Sequence, residues 1–235
     1  MKTPALVFIL LCFYFNANAQ FALINDKDGF VNIRKDKNVN SITVGKLDSN
    51  SIVRVWDEDV NKIDWLHIYL QTGYTTGTEG YVHKSRLKFI SDFKSIKNIK
   101  YQSNFCSAKN DSINIKVSSS RFFPKNHHIK YHKQTNNEGS YYESIDNKPI
   151  WGTDGRLPEM AINAMSVVIN GKSLSIPGAA FNDLYEPRFS TMQVYLGPNN
   201  NIYIELDNSD GAGYYSVIWT ITNYKYAGRH LDRGI

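Results

Sequence analysis

Phe30-Val31-Asn32-Ile33-Arg34, Ile42-Thr43-Val44-Gly45-Lys46-Leu47, Ile52-Val53-Arg54-Val55-Trp56, Trp65-Leu66-His67-Ile68-Tyr69-Leu70 and Gly80-Tyr81-Val82-His83 follow one another within residues 29–87. Each run is short and rich in alternating, β-branched or aromatic residues, and polar or Gly-containing turns separate the runs. In the fourth run, Leu66, Ile68 and Leu70 fall on one face of a strand, and Trp65, His67 and Tyr69 fall on the other. Five short strands at this spacing predict a small barrel, which buries the apolar face that a lone sheet would leave wet.

Upstream, Met1 to Ala19 has the layout of a secretory signal peptide: Lys2, an apolar run from Ala5 to Phe15, and the small-x-small site Ala17-Asn18-Ala19. The apolar run is shorter than the ~20 residues of a bilayer-spanning helix. Cys12 follows Leu11, whereas a lipidation site needs a small residue there. The expected product is exported, periplasmic or extracellular, cleaved after Ala19, with no membrane span. Removing 19 of 235 residues leaves a chain sized for two small domains, and the formal net charge falls from +5 to +4. One cysteine, Cys106, remains, so stability comes from packing rather than an internal disulfide. The lysines are scattered among Asp, Glu and Asn without a basic stripe, which argues against nucleic acid as a partner.

With Asn32 and Arg34, Gly45-Lys46-Leu47, Trp65 and Ile68, Gly80-Tyr81-Val82 and Leu87 in this order, the stretch resembles the bacterial SH3 (SH3b) domains over about a third of the mature chain. That family orders an Asn-x-Arg strand, a Gly-Lys-Leu-like turn, a Trp-x-x-Ile/Val strand and a closing Gly-Trp/Tyr-Val followed by Leu. Two departures stand out. Asn50 or Ser51 occupies the place of a frequent family glycine, and Asn50 is able to supply a left-handed turn. The loop before Gly80, residues 72–79, is longer than usual. The resemblance implies a non-catalytic module that binds peptidoglycan peptides or acts as a spacer. Trp56, Tyr69, Tyr74 and Tyr81 are the candidate ligand-binding residues, as aromatic walls of a shallow groove. For each, a packed strand aromatic is the competing account. Asn32 and Arg34 read as architectural.

The organisation is therefore a signal peptide over 1–19, an SH3b-like barrel over 20–90, a connector over 91–110 and a β-rich domain over 111–235. In the connector, Phe93, Ile96 and Ile99 recur every third residue beside lysines, which fits a short amphipathic helix or a polar linker. Beyond it the pattern is nearly all strand. The sharpest signal is Asn170-Gly171 between Met165–Ile169 and Lys172–Ile176, a hairpin. The fold class is mainly β: the small barrel, then an antiparallel, sandwich-like sheet domain.

Chemistry-bearing motifs are sparse. Cys106 lacks the Asp-Cys-Ser-Gly context of cell-wall cysteine peptidases and reads as a buried small residue. On a strand, His128 and His132 stand ~13 Å apart, too far to share a zinc ion. Residues 207–211 resemble a calcium loop but fail the EF-hand spacing, and an Asx-Gly turn explains them. Asp183, Glu186, Glu205, Asp207 and Asp210 include possible glycosidase pairs whose separation only a fold sets. No cofactor is implied. The leading expectation is an exported binding protein of the cell envelope, with no catalysis of its own, that takes peptidoglycan or a wall peptide. The alternatives are a periplasmic inhibitor or immunity-type partner of another protein, and an envelope hydrolase with an unrecognised site.

Overall fold

The computed structural model describes residues 20–57, 59–133, 139–208 and 213–233; the expected leader, residues 1–19, lies outside them. The chain is mainly β and antiparallel throughout its named sheets. The first unit comprises β1 (Gln20–Ile24), β2 (Phe30–Arg34), β3 (Thr43–Asp48), β4 (Ile52–Val55), β5 (Trp65–Gln71), β6 (Gly77–His83) and β7 (Leu87–Phe89). They form one seven-stranded sheet in the order β3-β2-β6-β5-β4-β1-β7. Ala22, Ile24, Val31, Ile33, Leu47, Val53, Val55, Leu66, Ile68, Val82 and Leu87 come from all seven strands and bury into a single cluster, so the sheet curls around it.

The expected closed barrel is not formed, because β3 and β7 each have one hydrogen-bonded neighbour and remain edges. Seven strands replace the five expected. The added β1 is apolar on both faces: Ala22 and Ile24 enter the first unit's core, whereas Phe21 and Leu23 enter a second cluster. A strand buried on both sides shows a continuous apolar run instead of alternation. Gly45-Lys46-Leu47, a turn in the family's order but part of a strand run in the sequence, lies inside β3; the left-handed turn falls at Asn50, with φ 70°. The loop of residues 72–79 is also shorter than expected, since Gly77 to Glu79 extend β6. Gly80 has φ 151°, and a Cβ there would lie 2.6 Å from the Arg34 carbonyl, so glycine permits β6 to approach β2.

The second unit contains β8 (Lys94–Ser95), β9 (Ile99–Gln102), β10 (Phe105–Lys109), β11 (Ile113–Arg121), β12 (Ile129–His132), β13 (Tyr141–Ile145), β14 (Lys148–Pro149), β15 (Met160–Ile169), β16 (Lys172–Leu174), β17 (Gln193–Leu196), β18 (Ile202–Asp207), β19 (Ser216–Thr222) and β20 (Lys225–Asp232). Sheets β16-β15-β11-β10-β9 and β20-β19-β18-β17-β8 face each other across one core, forming the expected sandwich, and β12-β13-β14 make a small third sheet. Ile113, Ile115 and Val117 point into that core, while Asn114 and Lys116 are exposed. Asn170 and Gly171, with φ 50° and 76°, form the turn that joins β15 to β16.

Beyond a single 3-10 turn at Ile90–Asp92, residues 91–110 form neither the amphipathic helix nor the linker expected. They supply β8 to one sandwich sheet and β9 and β10 to the other. Phe93 stacks on Tyr203, whereas Ile96 buries in the sandwich core, so the three-residue spacing serves two clusters and not one helical stripe.

The first unit packs on the outer face of the β20-β19-β18-β17-β8 sheet. Phe21, Leu23 and Ile90 meet Tyr203 and Ile218 in a shared cluster, with Ile52, Phe93 and Tyr195 at its margin. This arrangement buries β19 on both sides: Val217, Trp219 and Ile221 in the sandwich and Ile218 under the first unit. Among the described residues, no helix is long and apolar enough to cross a membrane.

Candidate functional site

The β5–β6 register sets Trp65 opposite His83, His67 opposite Tyr81 and Tyr69 opposite Glu79. Trp56, just beyond β4, donates its backbone N–H to the His67 carbonyl at 3.0 Å, and Arg54 pairs with Tyr69. Alternation buries Leu66 and Ile68 and turns these partners outward, where the rings are half-buried. The rings touch in sequence. Tyr69 meets Trp56 edge-on at 5.9 Å, Trp56 meets His67 at 6.2 Å, and His67 meets Tyr81 at 5.1 Å. Charges of both signs border this row: the Lys37 ammonium lies 5.3 Å from the Tyr81 ring, the Arg54 guanidinium 5.4 Å from the Trp56 ring, and Glu79 3.7 Å from His67 Nε2.

Of the four residues expected to bind ligand, the fold brings Trp56, Tyr69 and Tyr81 together and sets Tyr74 apart. Tyr74 occupies the β5–β6 loop, meets Trp151 edge-on at 4.9 Å and donates its hydroxyl to the Ile150 carbonyl at 3.3 Å. The sequence reading missed His67, the ring that joins Trp56 to Tyr81. The available signal was its position on the same strand face as Trp65 and Tyr69. Arg34 ties the β2–β3 loop through the Ser41 carbonyl at 2.9 Å and Thr43 Oγ1 at 3.0 Å.

The row leads from Arg54 into a largely half-buried polar patch at the unit junction. Arg54 ion-pairs with Asp232 and also lies 5.6 Å from the Tyr214 ring. On the outward face of β18, burial pushes the Glu205 carboxyl up to about 8, and Asp207 adds to this. Burial also raises Asp207, against the hydrogen bond it accepts from Ser216 Oγ. The Tyr214 and Tyr195 hydroxyls rise to about 12, mainly through burial. Glu205 and Asp207, two residues apart on the same face of β18, are thus both shifted toward the protonated form.

Two other carboxylates are structural. Asp183 receives a two-pronged bond from Arg229, with both contacts at 2.6 Å, and Glu186 accepts the backbone N–H groups of Glu159 and Met160. Asp210 lies outside the described residues, as does most of the loop compared with a calcium site.

Cys106 is fully buried, with Sγ 3.1 Å from Met192 Sδ, and burial pushes its thiol up to about 12, opposite to the activation of a nucleophile. His127 bonds Asp146 at 2.7 Å, and His132 stacks on Tyr141 at 5.1 Å. Among the described residues, no three His, Cys, Asp or Glu side chains are grouped to hold a metal ion. The site is thus an aromatic face with charged margins, equipped for binding through ring faces and polar edges.

No protein-family model, curated protein or solved structure matches the chain.

Proposed function

We propose that this chain is an exported, non-catalytic binding protein of the bacterial cell envelope, whose first unit docks on peptidoglycan or a wall peptide. The observation that carries this reading is the row Tyr69, Trp56, His67 and Tyr81, held in register by paired strands and bordered by Lys37, Arg54 and Glu79. Ring faces suit the apolar faces of sugars and short peptides, and margins of both signs suit a ligand carrying amines and carboxylates. The leader expected over residues 1–19 agrees with this location.

Sedimentation with purified peptidoglycan tests the reading, using residues 20–235 intact because Phe21, Leu23 and Ile90 bury against the second unit. The wild-type chain is expected to pellet, and Tyr81→Ala to weaken binding by about 1 kcal/mol. Wild type that stays in the supernatant contradicts wall docking.

A second reading, a protein partner, draws on a different surface. Edge strand β3 carries exposed Val44, and the preceding loop carries exposed Val39 and Ile42. An open edge flanked by apolar side chains suits addition of a partner strand. Co-elution of an envelope protein that is lost in Val44→Lys supports this reading; its retention in that variant counts against it.

A further inference from the structure

Tyr74, separated from the aromatic row, forms a wall of a second cleft. This cleft, about 590 Å³, lies between the β5–β6 loop, the small β12-β13-β14 sheet and Arg233, just after β20. Tyr74 and Tyr141 line it and are 38% and 40% exposed, so ring surface is available to a ligand. Both rings are held: Tyr74 rests edge-on against Trp151 at 4.9 Å and Tyr141 stacks on His132 at 5.1 Å.

Charge distinguishes this cleft from a simple aromatic patch. Lys130 and Glu143 neutralise each other at 2.7 Å. Among the described residues, Lys148 Nζ donates to the neutral Asn182 Oδ1 alone, at 3.0 Å, and Arg233 lies 4.9 Å from the Tyr74 ring with a long bond of 3.4 Å to the Tyr74 carbonyl. Among the described residues, no carboxylate lies at ion-pair distance from Lys148 or Arg233. Among the described residues that line the cleft, Lys130, Lys148 and Arg233 are positive and Glu143 and Asp154 negative, an excess of one positive charge.

We propose that this cleft is a binding site for a saccharide bearing a carboxylate, with Tyr74 and Tyr141 receiving the ring and Lys148 and Arg233 the carboxylate. A sugar ring has an apolar face that covers tyrosine and polar edges that bond the surrounding side chains. A carboxylate supplies the charge-assisted partner that neither cation finds among the described residues. The volume falls within the range of small-molecule sites. The inference is independent of wall docking by the first unit, because no residue of the Trp56 row lines the cleft.

Calorimetric titration of residues 20–235 with three probes tests it: N-acetylmuramic acid, N-acetylglucosamine as the same ring type without the lactyl carboxylate, and lactate as the carboxylate without a ring. N-acetylmuramic acid is expected to bind saturably, about tenfold tighter than N-acetylglucosamine, and lactate not to saturate. The Lys148→Gln, Arg233→Gln double variant should reduce N-acetylmuramic acid to the N-acetylglucosamine level. Tyr141→Ala, at an exposed ring, should weaken both sugars, and a thermal-melt check confirms that each variant folds. The preference for N-acetylmuramic acid over N-acetylglucosamine should persist in Trp56→Ala; its loss there places the site on the first unit's aromatic row and overturns the proposal for the cleft. No saturation by either sugar, equal affinity for the two sugars, or an undiminished preference in the double variant overturns the proposal.

Discussion

Arg54 on β4 ion-pairs with Asp232 on β20, a fully buried carboxylate 178 residues further along the chain. The pair stands beside the apolar cluster that contains Phe21, Leu23, Ile90, Tyr203 and Ile218, so ionic and hydrophobic contacts join the two units at one junction.

Arg54→Ala removes the cation and leaves the Asp232 carboxylate buried. Loss of one partner of such a pair costs about 3 kcal/mol. Urea unfolding should show this loss, and wild type should unfold in a single transition reported alike by tryptophan fluorescence and circular dichroism. Two separate transitions in wild type, or a loss below about 1 kcal/mol, would contradict a coupled junction.

Glu205 makes stability fall as pH rises. Burial first, then Asp207, lifts its folded value to about 8, above an unfolded value near ~4.3. Its contribution is complete below the unfolded value and disappears as pH rises through the folded one. Glu205→Gln keeps the shape but cannot ionise. Relative to that variant, wild type should lose on the order of a few kcal/mol between about pH 5 and pH 9, read from denaturant midpoints. A constant difference across that range would refute the upward shift of the Glu205 carboxyl.

His230 acts in the opposite direction. Burial lowers its value to about 4, and Asp232 partly opposes the shift. The neutral imidazole stabilises the fold above the unfolded value, and that contribution disappears as pH falls from about 6.5 through the folded value. His230→Phe preserves a ring against Phe21, which now meets His230 edge-on at 5.7 Å. Between about pH 7 and pH 4, wild type should lose more stability than this variant; parallel pH profiles would exclude the effect.

Cys106 should be inert. A disulfide reagent at mildly alkaline pH is expected to leave the native chain of residues 20–235 unmodified and to titrate one thiol per chain after denaturation. Rapid native reaction would show an accessible thiolate and reopen the case for a nucleophile.

Much of the strand content was legible because one face of many strands meets solvent. In β5 and β11 the burial alternates with the side chains, and at Asn170-Gly171 the turn chemistry itself marks the hairpin. Legibility failed where burial was two-sided or shared. β1 reads as an extension of apolar sequence because its faces enter two clusters, and Phe93 and Ile96 mimic a helical stripe because each serves a different one. Of the candidate site, Trp56, Tyr69 and Tyr81 were readable as aromatic positions in the first unit. The partnership of Trp56 with His67 needed the register of β4 on β5.

The sequence by itself determined a mainly β chain, the outward set of Trp65, His67 and Tyr69, and the Asn-Gly hairpin, because strand alternation and left-handed turns are local consequences of residue type. Tertiary structure alone decided that the sheet of the first unit stays open, that residues 91–110 join the sandwich, that Arg54 reaches Asp232, and that Tyr74 leaves its neighbours to wall a separate cleft. Those outcomes depend on which distant faces bury each other, and chain spacing does not encode that choice.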